Sequence, residues 1–64
     1  MEITKEEMEA YEFVRASGET NMFNRESVKH YALYYAEIVL TDAQIGFIML
    51  NYNFLMDKFG IERK

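Results

Sequence analysis

The chain has no cysteine, no proline and no tryptophan, and only one histidine and three glycines among its 64 residues. Without cysteine there is neither a disulfide nor a thiolate metal site. His30 alone cannot build a histidine cluster, and a metal site needs three or four ligands at suitable spacing. Without proline, no residue obliges a helix to stop. No stretch reaches the eighteen or so uninterrupted apolar residues of a membrane span. The opening Met1-Glu2-Ile3-Thr4-Lys5-Glu6-Glu7 is acidic and lacks the apolar core of a secretion signal. The expectation is a protein without cofactor or metal, with no membrane partner and a cytoplasmic location.

Positive charge is also scarce where it would be needed. Residues 1–19 hold Glu2, Glu6, Glu7, Glu9, Glu12 and Glu19 against Lys5 and Arg15, while residues 20–64 balance, so the net charge of −4 sits wholly on the first segment. Phosphate-backbone binding rests on Lys and Arg, so this distribution argues against nucleic acid. A DNA-binding regulator of the helix-turn-helix kind is a third and weaker alternative for the same reason. The helix starting at Asp42 offers only Asp42 and Gln44 as polar side chains near its N-terminus.

What the chain has is apolar and aromatic. Half its residues are apolar and ten are Phe or Tyr, too many for a disordered segment. A domain this small buries only about 60 % of the surface of its unfolded chain, so its stability is marginal. With disulfides and metal set aside, oligomerisation is the remaining staple.

Three helix starts share one pattern. Thr4 with Glu7 forms a capping box, in which each side chain satisfies the other's free backbone N–H, and Ile3 and Met8 flank it as a hydrophobic staple. Thr41 with Gln44, flanked by Leu40 and Ile45, repeats the device. Asn24, with Phe23 and Val28 as staple, is a weaker copy, because Ser27 closes the box poorly. Gly18 and Gly60 are the natural stops. The spacing predicts an all-α fold of three helices, over about 5–17, 25–38 and 42–59. The first carries an apolar stripe of Ala10, Tyr11, Phe13 and Val14. Thr20, Asn21, Met22 and Phe23 form the first connection, with Met22 and Phe23 expected to plug the core. Glu62, Arg63 and Lys64 are expected to fray.

The stretch 42–59 is the organising element. At about 100° per residue its apolar residues split into two stripes. Ile45, Ile48, Met49, Tyr52, Leu55, Met56 and Phe59 make one. Phe47, Leu50 and Phe54 make the other, on the opposite side. A helix apolar on two sides needs cover on both. The second stripe, joined by Leu33 and Tyr34, is therefore either covered within the chain or an interface with a second copy or another protein. The expectation is a long C-terminal helix as spine, dimerising through it.

Two further sets each have a functional and a plainer reading. Glu6, Glu9 and Glu12 form an acidic surface that could occupy a basic or nucleic-acid site on a host protein; the plainer reading is a solvated helix face. His30 with Tyr31, Tyr34 and Tyr35 reads as packing. No paired carboxylates or nucleophile–base spacing point to catalysis, so no enzyme activity is expected.

At Arg15-Ala16-Ser17-Gly18-Glu19-Thr20-Asn21-Met22-Phe23-Asn24-Arg25-Glu26-Ser27-Val28 the chain resembles a family of very small phage and prophage proteins of bacteria. In that family an Arg-x-Ser-Gly-x-Thr-Asn-Met-Phe-Asp segment joins two helices. Arg15, Ser17, Gly18, Thr20, Asn21, Met22, Phe23 and Val28 match; Asn24 stands where the family often has aspartate. The match covers about a quarter of the chain, and the residues after Tyr31 do not follow it. The resemblance implies a phage or prophage origin, a bacterial host and a helix–loop–helix, and it carries no activity with it.

Overall fold

Four helices, not three, make up the computed structural model, which describes residues 1–62. They are α1 (Lys5–Ser17), α2 (Arg25–Ala36), α3 (Asp42–Leu50) and α4 (Tyr52–Phe59). Packing is closest between α1 and α2; α4 closes against α1 and α3, and α2 also meets α3. The bundle measures 25 × 24 × 20 Å with a radius of gyration of 10.4 Å, near the ~10.7 Å expected for its length. Among the described residues no helix is long and apolar enough to cross a membrane. Arg63 and Lys64, expected to fray, lie outside the described residues.

The spine expected over 42–59 is broken at Asn51. Its side-chain Nδ2 donates to the Phe47 carbonyl at 2.9 Å. Its backbone N–H is shared between the carbonyls of Phe47 (3.1 Å) and Ile48 (3.2 Å). An asparagine side chain thus competes for a carbonyl of the helical ladder, and the helix turns. The Asn51 carbonyl then accepts from Leu55 N–H at 2.9 Å and starts α4. The stretch is thus two helices, not the expected single rod, and there is no continuous spine for a dimer to form through. The two stripes survive the break as faces. Ile45, Ile48, Leu55 and Met56 are buried, with Met49, Tyr52 and Phe59 packed against them.

Both capping boxes form. Thr4 accepts from Glu7 N–H, Glu7 Oε1 accepts from Thr4 N–H, and Thr41 and Gln44 exchange the same pair. Ile3, Met8, Leu40 and Ile45 are all buried, as the two staples require. The boxes are also joined to each other, because Gln44 Nε2 donates to Glu7 Oε2 at 2.7 Å. One carboxylate thereby serves the positive ends of two helices. At the third start Asn24 accepts from Ser27 N–H at 3.2 Å, but Phe23 is exposed and no staple forms.

Gly18 and Gly60 end α1 and α4 in the left-handed conformation, at φ 68° and 65°. After α4 the Ile61 N–H turns back to the Met56 carbonyl at 3.0 Å. Helix α2 stops two residues short of the expected Ile38. Glu37 takes φ 56° there, and the N–H groups of Glu37 and Ile38 bond carbonyls of the last turn. The turn places Leu40 in the core and leaves Val39 outside.

The link between the two boxes generates a prediction. Glu7→Ala and Gln44→Ala are each expected to destabilise the fold. In a double-mutant cycle read by urea unfolding they should couple by about 1 kcal/mol. Strict additivity would show that the 2.7 Å contact contributes nothing.

Candidate functional site

Helix α1 turns its Tyr11 side toward the rest of the bundle. Met8, Ala10, Tyr11 and Val14 are buried, and so is Glu12, only 1 % exposed. Phe13, expected in the apolar stripe, lies at the margin with its ring 5.7 Å from that of Tyr35. A buried carboxylate is stable only when its oxygens are satisfied. Arg15, one turn along, donates from Nε and Nη2 at 2.8 and 2.7 Å in a two-pronged pair. The Tyr52 hydroxyl, from the first residue of α4, donates to Oε1 at 2.6 Å. The Arg15 guanidinium also lies 5.9 Å from the Tyr52 ring centre. The hydrogen bond to Glu12, opposed by partial burial, holds Arg15 above its ordinary pKa and so firmly charged. Burial, then the neighbouring Tyr52, raises Tyr11.

This network forms the polar edge of an apolar cleft of about 310 Å³, lined by Tyr11, Arg15, Met22, Phe23, Met49 and Tyr52. The first connection shapes its rim. Asn24 N–H bonds the Asn21 carbonyl at 2.9 Å, closing a β-turn with Met22 and Phe23 at its centre. Asn21 Oδ1 accepts from Phe23 N–H at 2.9 Å, an Asx turn that pins the backbone. The two central side chains of a turn diverge. Met22 packs on the core as expected. Phe23 does not plug it; it stands 90 % exposed.

Leu50 and Phe54 are 87 % and 64 % exposed, and Phe47 is partly buried against the core. The second stripe is thus left largely uncovered by the chain itself. Leu33 and Tyr34 are exposed on α2. They flank an aromatic cluster in which Tyr34 stacks on His30 (6.2 Å, 5°) and packs edge-on to Tyr35 (4.9 Å), while Tyr31 stacks on Tyr35 (5.6 Å). His30 is a member of this ring stack. Glu6 and Glu9 remain exposed, but Glu12 is inside, so the expected three-carboxylate surface loses a member. Among the described residues no group of three His, Cys, Asp or Glu side chains is placed to hold a metal ion. The Glu12 carboxylate, taken up by Arg15 and Tyr52, is not placed to act as a general base.

Sequence reasoning missed the Glu12–Arg15–Tyr52 set and the cleft beside it. The i, i+3 spacing of Glu12 and Arg15 was readable as a surface pair. That Tyr52 would arrive over it was not, because this depends on the turn at Asn51.

Two measurements follow. Removing one partner of a buried ion pair costs about 3–5 kcal/mol. Losing one hydrogen bond to a charged group costs about 1.5–3 kcal/mol. Arg15→Ala, which leaves the buried Glu12 carboxylate without its cation, should therefore destabilise more than Tyr52→Phe in chemical denaturation, and the reverse order would contradict the assigned geometry. Separately, the Tyr35 hydroxyl donates to Glu19 Oε2. That hydrogen bond, more than any other influence, pushes its pKa from 10.0 up to about 12. The contact stabilises the fold fully below pH 10 and is lost as pH rises toward 12. Glu19→Gln should advance the late part of a tyrosine absorbance titration; superimposable curves would exclude the bond. Set against protein-family models, curated proteins and solved structures, the chain matches none.

Proposed function

We propose that this is a non-enzymatic protein-interaction module that acts by self-association, of phage or prophage origin. The origin rests on the resemblance at 15–28. The mode of action rests on one observation: large apolar side chains stay in water on the lone subunit. Leu50, Phe54, Leu33, Tyr34, Val39 and Phe23 are all exposed. Single exposed apolar residues are ordinary on a protein surface, whereas grouped aromatic and aliphatic ones mark interfaces. Aromatic side chains are also the usual anchors of binding energy. A domain this small gains from burying them on a partner what its own core cannot supply.

The reading is tested by mass in solution. Sedimentation equilibrium from about 1 µM to about 1 mM, a range that brackets weak association, should show the mass rising from 7.6 kDa toward twice that value. A mass that stays at the monomer value throughout would overturn it.

A further inference from the structure

The outer face of α1 and α2 carries a ridge of aromatic rings. Phe13 lies 5.7 Å from Tyr35, Tyr35 packs edge-on to Tyr34 at 4.9 Å, and Tyr34 stacks on His30. Phe13, Tyr34 and Tyr35 are 46 %, 70 % and 40 % exposed. The face of an aromatic ring is the negative part of its quadrupole, and a guanidinium or ammonium is drawn to it. The cations of this chain that meet rings do so elsewhere, Arg15 on Tyr52 and Lys58 on Phe59. On α2, Lys29 is held by Glu26 and Asp42, and Arg25 reaches the Asp42 carbonyl.

The charge around the ridge has one sign. At about 100° per residue, Glu6 and Glu9 lie within about 40° of Phe13 on α1, whereas Lys5 lies about 80° away. Both carboxylates are exposed. Glu19 accepts the hydrogen bond of the Tyr35 hydroxyl, which shifts electron density into that ring. Glu37 ends α2. Helices α1 and α4 hold Arg15 and Lys58 in their last turns, but α2 holds no base there. The negative pole of its dipole is therefore uncompensated close to Tyr34. Among the described residues Glu6, Glu9 and Glu37 form no ion pair.

Ring faces, carboxylates and a helix C-terminus all attract positive charge, and here they share one surface. We infer that this face receives a basic segment of another protein, whose arginine side chains stack on Phe13 and Tyr34 and pair with Glu6, Glu9 and Glu37. Arginine fits better than lysine, because its planar guanidinium stacks on a ring and still offers its edge to a carboxylate. A second copy presenting the same ridge brings like charges together, and a nucleic-acid backbone is repelled. The inference stands apart from the self-association reading, whose Leu50 and Phe54 belong to α3 and α4.

A nuclear magnetic resonance titration of the full chain with a hexa-arginine peptide tests it. The peptide should bind saturably, with shifts centred on the rings of Phe13 and Tyr34 and the amides of Glu6 and Glu9. Tyr34 is exposed, so its variants should keep the circular dichroism of the parent. Tyr34→Leu retains an apolar contact but removes the ring face, and should weaken binding by about 3- to 10-fold. Tyr34→Phe retains the face and should stay within about 2-fold. Hexa-lysine should bind more weakly than hexa-arginine. Non-saturating shifts spread over every exposed acid, or Tyr34→Leu binding as tightly as the parent, overturn the inference. So does a parent whose self-association is lost in Tyr34→Leu, since a second copy then covers the ridge. A parent that stays monomeric yet binds the peptide as described removes the self-association reading and supports this one.

Discussion

The hydroxyl of Tyr52 reaching the buried carboxylate of Glu12 is the contact on which the arrangement of this domain turns. The two residues are forty positions apart. A carboxylate withdrawn from water is stable here because Arg15 answers it with two hydrogen bonds and Tyr52 with a third. The demand runs both ways. Glu12 needs Tyr52 to complete its shell, so the start of α4 is held against α1 rather than left to continue along α3. The bend at Asn51 makes that approach possible, and the same approach builds one wall of the cleft. Specificity of this kind comes from directed hydrogen bonds. An apolar contact in the same place could slide.

Much of the local structure was readable from residue order. The two capping boxes, their staples and the glycine stops appear where Thr4, Thr41, Gly18 and Gly60 put them, because each depends on residues only a few positions apart. The inward stripe of 45–59 was readable for the same reason, since period alone decides which side chains share a face. What could not be read depends on competition. At Asn51 the apolar period continues undisturbed, and the helix breaks where the side-chain amide and the backbone N–H share the Phe47 carbonyl. The pair of asparagines around Tyr52, both weak helix formers, was the available hint. At Glu37 a left-handed residue ends α2 without glycine, a conformation that side-chain pattern does not announce. Glu12 looked like one more solvated acid, since nothing nearby in the chain reveals an arriving tyrosine. Phe23 looked like core because it is apolar, and its position at the centre of a β-turn sent it outward instead.

The uncovered apolar surface follows from the same geometry. A continuous rod would have needed neighbours on two sides. Bending it lets α3 and α4 wrap one face around α1 and α2, and this buries Ile45, Ile48, Leu55 and Met56 together. Of the opposite face, Phe47 packs on the core while Leu50 and Phe54 stay exposed. A short chain thus completes one core by leaving part of its apolar content in solvent, and its partner surfaces are what remains after that core is closed.

The bond between Glu7 and Gln44 has a consequence for motion. Helix ends ordinarily open independently, each first turn fraying on its own. Here the carboxylate that holds the Thr4 N–H also holds the amide whose oxygen secures Thr41. Unwinding at either place loosens the other. Amide exchange at the beginnings of α1 and α3 should therefore be protected to a similar degree, as one cooperative unit drawn from opposite halves of the chain.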